Sequence, residues 1–231
     1  MVKFQDLIDK KDSPDLNAPA EYKKISSDEK LTKDEAKAFW DDHFTSNDKD
    51  VKSVNDEALL TDIYDRDETD FIFDFEIDDE IKHILEKFEP DSWVELTDTE
   101  KESLIGELIS ALGYKLGLEE LPSLKIFEDS KDKLGSFNIS ENLIEINKNI
   151  FDDPSEVIDT TAHEVRHAYQ HQRAQKDETY VDKLYKLNFE NYITPQLLPD
   201  GKYMFFTDYQ DQYVEAEARA FANLFKQKEV S

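Results

Sequence analysis

Residues 162–171 read Ala-His-Glu-Val-Arg-His-Ala-Tyr-Gln-His, a run whose residue types and spacing can do chemistry. An α-helix turns about 100° per residue, so His163 and His167 fall one turn apart on one face. Both imidazoles can then hold one metal ion, with Glu164 beside them as a candidate general base. Three of the chain's five histidines lie between positions 163 and 171. With Ile158 at zero on a helical wheel, Ala162, Val165 and Tyr169 lie within about 40° of it, and His163 and His167 lie at about 140° and 180°. The pattern predicts a helix that packs one side in the core and presents ligands on the other. The plainer alternative is a polar surface face that matches the motif by chance, and the clustering of histidines weighs against it.

Two imidazoles leave a tetrahedral ion short of a third protein ligand. His171 is two turns beyond His163, about 12 Å along the axis, too far for bonds of about 2 Å; it is expected at a cleft wall or on the surface. The metzincin form needs a glycine break before a third histidine, and residues 168–175 contain no glycine. A carboxylate from another helix is the natural candidate. Residues 208–226 have helical spacing, with Val214, Ala218, Phe221 and Phe225 in one stripe, and Glu215 or Glu217 could complete the site. Glu217 falls inside the apolar stripe, where a carboxylate is costly unless it is paired or metal-bound.

Other elements must position these residues. Leu104, Ile105, Leu108, Ile109, Leu112 and Leu116 recur at helical spacing after the candidate caps Thr97 and Thr99, and Gly117 ends that helix. Three strand-like runs follow at residues 124–127, 134–139 and 143–146, separated by turn chemistry, and predict a small antiparallel meander. Asp152-Asp153-Pro154-Ser155 then suits the start of the His-Glu-x-x-His helix. Upstream, Phe71, Phe73, Phe75 and Ile77 alternate as in a strand, and a helical pattern runs on through Phe88. Residues 31–44 and 56–64 read as short helices. Residues 9–30 are poor in apolar groups and predict a flexible lead-in.

Composition narrows the function classes. The 231 residues include 55 acidic and 28 basic side chains, a formal charge of −27 that repels phosphate backbones and anionic lipid head groups. Neither nucleic acid nor a membrane is expected as a partner; surplus carboxylates serve solubility more often than they mimic DNA. Residues 1–100 carry 31 acidic and 13 basic groups, so the first part is the more solvated. Cysteine is absent, which suits a reducing cytosol without excluding export. No apolar run approaches the ~20 residues of a membrane span, and Met-Val-Lys-Phe-Gln-Asp has no apolar signal core. The expectation is a soluble protein, cytoplasmic or exported without a classical signal peptide.

Glu215 followed three positions later by Ala218 resembles the gluzincin metallopeptidases, in which a second helix supplies Glu within a Glu-x-x-Ala-Asp pattern. Arg219 stands where that pattern has its acidic residue, so a ligand histidine must be oriented from elsewhere, with Asp159 a candidate. Glu-Ala-Glu-Ala-Arg-Ala-Phe-Ala is similar to a segment of the ImmA/IrrE-like peptidases of mobile elements and phages. His-Glu-Val-Arg-His-Ala-Tyr-Gln resembles metallopeptidase domains of phage proteins and bacterial toxins. The resemblance covers about residues 93–226 and leaves residues 1–90 unmatched.

It implies an α+β, zincin-like fold. A small antiparallel sheet would pack on the active-site helix and a C-terminal third-ligand helix in residues 91–231, after a mainly helical or partly disordered acidic extension over residues 1–90. It implies one Zn²⁺ per chain on His163, His167 and Glu215, with Glu217 the rival ligand, and Glu164 as the catalytic base. The activity implied is a zinc-dependent endopeptidase acting on a specific protein or peptide in a phage, mobile-element or effector context. Tyr169, His171, Tyr209 and Tyr213 are the candidates to stabilise an oxyanion, residues 143–146 the candidate edge for a substrate strand, and the aromatic-rich connection over residues 180–206 either a roof for the cleft or a secondary core. The alternative is a non-catalytic binding or regulatory protein on the same scaffold, its acidic N-terminal region contacting a partner.

Overall fold

The computed structural model describes residues 62–128, 133–197 and 203–226. The long helix α3 (Asp98–Leu116, after α1, Asp79–Glu86, and α2, Pro90–Trp93) is fixed at both ends by its own sequence. Thr97 accepts from the Glu100 N–H and Glu100 accepts from the Thr97 N–H at 2.8 Å, a reciprocal cap. Gly117 closes the other end at φ 75°, a left-handed conformation that favours glycine, which has no Cβ to clash. Leu104, Ile105, Leu108, Ile109 and Leu112 are buried along α3 and meet Ile81 and Ile84 of α1 and Phe88 in one core. Trp93 stacks on Phe88 at 4.9 Å and donates its indole N–H to the Phe151 carbonyl at 2.6 Å.

Residues 62–90 thus share the core of the residues that follow, and the packing has no break at residue 90. Ile63 is fully buried, and the segment around it is stitched to the C-terminal part by Arg66 N–H to Asp211 O at 2.7 Å and Tyr213 N–H to Ile63 O at 2.9 Å. Residues 71–77 have the alternating burial the sequence predicts, but they form no strand. Phe73 and Phe75 set their rings edge-on to Phe221 at 5.5 and 5.0 Å. Period-two burial needs one apolar surface underneath, and here a helix supplies it.

Strands β1 (Ser123–Phe127), β2 (Gly135–Asn138) and β3 (Leu143–Asn147) make a sheet of order β1-β3-β2. β1 runs parallel to β3, with Leu124 opposite Ile144 and Ile126 opposite Ile146, and β2 runs antiparallel to it. The sheet is therefore mixed, not the expected antiparallel meander, and residues 143–146 are its central strand, not an edge. Ile144 and Ile146 face the core, while Glu145 on the solvent side is held by Lys125 at 2.7 Å and Lys133 at 3.1 Å, one from each side. The β2–β3 turn is set by Asn138, whose side chain accepts from the Ser140 and Glu141 N–H groups, and by Asn142 at φ 47°.

Asp153 accepts from the N–H groups of Ser155 and Glu156 and, with Pro154 behind it, starts α4 (Pro154–Lys176). This helix is central: it packs on α3, on β2 and β3, on α5 (Tyr180–Glu190) and on α7 (Tyr213–Ala222). Between α5 and α7 lie the hairpin β4 (Gln196–Leu197) with β5 (Tyr203–Met204) and the short α6 (Phe206–Gln210). The single helix expected over residues 208–226 is broken at positions 211–212. Gln212 is buried there and spends its amide on Asn188 and Ile193, while residues 63–66 bond the Asp211 carbonyl and the Tyr213 N–H on either side of the break. Buried Ala216, Ala218, Ala220 and Ala222 let α7 pack closely. No helix among the described residues is long and apolar enough to cross a membrane. The expected lead-in at 9–30 and helix at 31–44 lie outside the described residues; of the helix expected at 56–64, the last three positions are described and form a turn.

Gly135 is where β2 meets α4. A Cβ there would stand 2.5 Å from the Thr160 methyl carbon and 3.4 Å from Glu164 Cγ. Gly135→Val is expected to push the strand off the helix and cost about 1–3 kcal/mol, as overpacking does. Thermal unfolding reads this as a midpoint lowered by several degrees, and an unchanged midpoint would mean that β2 does not sit against Glu164.

Candidate metal centre

The helical repeat of α4 brings the Nε2 atoms of His163 and His167 to 3.0 Å from each other. Glu215 reaches them from α7, with Oε2 at 3.3 Å from His163 Nε2 and Oε1 at 3.3 Å from His167 Nε2. One ligand atom from each of the three residues lies within 4.8 Å of the others, at metal-binding spacing. Tetrahedral zinc with Zn–N bonds of about 2.0–2.1 Å separates its ligand atoms by about 3.3 Å, so the donor set and its spacing suit that ion. Glu217 does not join them: its carboxylate is bound by Arg166, Tyr185 and Gln170.

Burial and charge oppose each other here. Burial alone would raise the Glu215 carboxyl, but the imidazoles of His167 and His163 outweigh it and hold the group well below the usual carboxylate range. Burial would lower His167, and the Glu215 carboxylate reverses this, raising the imidazole to about 9. Glu164 is 7% exposed, and its burial raises its carboxyl against the opposing pull of the two histidines. Tyr192 donates its hydroxyl to Glu215 Oε1. Tyr209 packs its ring 6.1 Å from that of Tyr192, and burial, then the charges of Glu215 and Glu164, push its hydroxyl up.

Compared with family models, with curated proteins and with solved structures, the chain matches none. What the centre can do is set by its own donors and their surroundings.

Of the four candidate oxyanion donors, Tyr209 stands at the centre. Tyr213 packs on Phe71 and Tyr185, and Tyr169 lies against the Arg166 guanidinium. His171 sits between Phe137 of β2 and Phe189 of α5, ring centroids 6.2 and 6.1 Å away, and burial lowers its pKa. Within the connection over residues 180–206, Tyr185 is buried in a small second core with Val214 and Ala174, while Tyr192 reaches the centre through its bond to Glu215. Asp159, the expected orienting carboxylate, is an ion-pair neighbour of Lys226 at 3.3 Å. Arg219, in the place of an acidic residue, bonds Glu68 at 2.9 Å and the Gln210 carbonyl at 2.7 Å.

Sequence reasoning missed Gln170 and Tyr192. Gln170 Oε1 stands 2.8 Å from His167 Nδ1; its place three residues after His167, on the same helix face, was an available signal. Tyr192 follows α5 in a non-helical connection, where no periodicity marks it.

Proposed function

We propose that this chain is a zinc-dependent endopeptidase of gluzincin type, one ion per chain, acting on a protein or peptide. The observation that carries the reading is the convergence of His163, His167 and Glu215 beside a buried Glu164. Bound by these three residues, Zn²⁺ would supply a Lewis acid that lowers the pKa of water to roughly 7 and polarises a peptide carbonyl. Glu164, its basicity raised by burial, accepts the proton of the attacking water and returns it to the nitrogen of the leaving amine. Tyr192 holds Glu215 in place, and Tyr209 is the hydroxyl at hand to donate to the developing oxyanion. The outer edge of β2 has no strand partner among the described residues. A peptide adding to that edge through its main chain would run past Gly135, which packs against Glu164.

Elemental analysis of untagged protein is expected to find about one zinc per chain; no metal, even after zinc is offered, would sink the proposal. The metal-free centre also predicts a pH dependence. His167 keeps its proton up to a pKa of about 9, so an ion arriving between pH 7 and 9 must displace it. Apparent zinc affinity is expected to rise about tenfold per pH unit in that window and then to level. Chelator competition across the window reads the slope, and a flat profile would mean that His167 carries no proton to displace.

A further inference from the structure

We propose that Gln170 and Glu217 form a positioning relay that fixes the tautomer of His167, keeping the Nε2 lone pair turned to the metal centre. The inference rests on the metal reading above for its purpose, and on hydrogen-bond geometry for its substance.

The relay starts at Glu217, 4% exposed and two residues from the ligand Glu215. Three donors converge on its carboxylate. Arg166 Nη2 and Tyr185 Oη reach Oε1 at 2.5 and 2.7 Å, and Gln170 Nε2 reaches Oε2 at 2.7 Å. The Arg166 guanidinium is itself sandwiched among aromatic rings, 4.4 Å from the Tyr169 centroid, 4.9 Å from Phe73 and 5.2 Å from Phe221. A buried carboxylate is tolerable only with such a set of partners. Glu217 is therefore held in one place, and all its neighbours donate.

That leaves Gln170 one orientation. Its Nε2 bonds both Glu217 Oε2 and the Val214 carbonyl, the latter at 2.9 Å, and neither of these groups can donate. Both amide hydrogens are thereby committed to the α7 side, and Oε1 must face His167 Nδ1 at 2.8 Å. An amide oxygen only accepts, so Nδ1 carries the hydrogen. In the neutral ring, Nε2 is then the nitrogen with the free lone pair, the one that faces His163 and Glu215. Arg219 is engaged elsewhere, with Glu68 and the Gln210 carbonyl, and the carboxylate two positions earlier orients His167 through an amide.

Glu217→Gln tests this without touching a ligand. To keep Arg166 and Tyr185 bonded, the new side chain must turn its oxygen to them and its NH₂ to Gln170. The Gln170 amide then has to turn over and present NH₂ to His167 Nδ1, which moves the ring hydrogen to Nε2. Gln170→Met keeps the volume and removes the acceptor altogether. In the metal-free full-length chain, at a pH alkaline enough for a neutral ring, long-range ¹H–¹⁵N spectra are expected to show His167 protonated on Nδ1 in the parent protein and on Nε2 in Glu217→Gln. Affinity for Zn²⁺ alone, from chelator competition, is expected to fall about 10–100-fold in both variants.

A parent ring protonated on Nε2 overturns the relay even if neither variant folds, and so does an unmoved tautomer with zinc affinity intact in the variants. A parent that takes up no zinc removes the peptidase proposal instead and leaves the ring spectra to decide the relay.

Discussion

Glu164→Gln is expected to keep about one zinc per chain and to lose peptide hydrolysis by about 10²–10⁴-fold, the usual worth of a positioned general base, or about 3–5 kcal/mol of barrier. The zinc should stay because Glu164 is outside the group of converging ligand atoms. The activity should go because an amide of the same shape cannot accept the proton of the attacking water. Stability provides an internal control. Burial already raises the Glu164 carboxyl, so a neutral amide at that position is cheaper to bury than the carboxylate, and the metal-free variant is expected to be at least as stable as the parent. The assay is labelling of new N-termini in a proteome exposed to parent or variant at equal zinc content. Equal cleavage by the two would remove Glu164 from the chemistry. An intact biological function in a variant that cleaves nothing would favour the alternative of a binding protein on the same scaffold.

What could be read from the chain before its structure depended on whether the signal was local. Helix α3 carries its own apolar stripe, its Thr97 cap and its Gly117 stop in one continuous segment, and it forms where these place it. The same holds for α4, from Asp153 and Pro154 onward. Strand positions were visible, but strand order was not, because five residues of alternating burial look alike in an edge and a centre. The one hint of a central β3 was Glu145, an acidic residue that draws Lys125 from one side and Lys133 from the other. Residues 71–77 had a strand's periodicity and found a helix to lie on, since periodicity reports that one face is buried and not by what. The division at residue 90 followed composition. The acidic surface of residues 62–90 is real, but Ile63, Ile81, Ile84 and Phe88 beneath it are buried with everything else.

At the site, the i, i+4 pair of histidines was legible because one helix makes it. The choice between Glu215 and Glu217 was not, since it depends on how two helices face each other. The helical wheel required a carboxylate at position 217 to be either paired or metal-bound; it is paired, with Arg166, Tyr185 and Gln170. An apolar stripe with a carboxylate in it signals a buried polar network as readily as a metal ligand, and only the second helix distinguishes them.

Removing Glu215 is the sharpest test of that distinction. Glu215→Ala is expected to weaken zinc binding by more than the ~100-fold that loss of an orienting partner costs, because it takes away a ligand atom and not a support for one. The proton on His167 should go with it. Its pKa of about 9 exists because the Glu215 carboxylate outweighs burial; with that charge gone, burial dominates and the imidazole is expected below its ordinary 6.5. The stability of the metal-free protein carries the corresponding sign. A pKa raised from 6.5 to about 9 contributes stability that is fully present below pH 6.5 and is lost as pH rises through about 9. Denaturant midpoints of the metal-free parent should therefore fall between pH 6.5 and 9.5 relative to those of Glu215→Ala. Parallel profiles would mean that the centre does not share a proton between His167 and Glu215. Zinc retained in Glu215→Ala would transfer the third-ligand role to Glu217, which could take it only by leaving Arg166 buried without its carboxylate, a loss of about 3–5 kcal/mol that the variant's own unfolding midpoint would reveal.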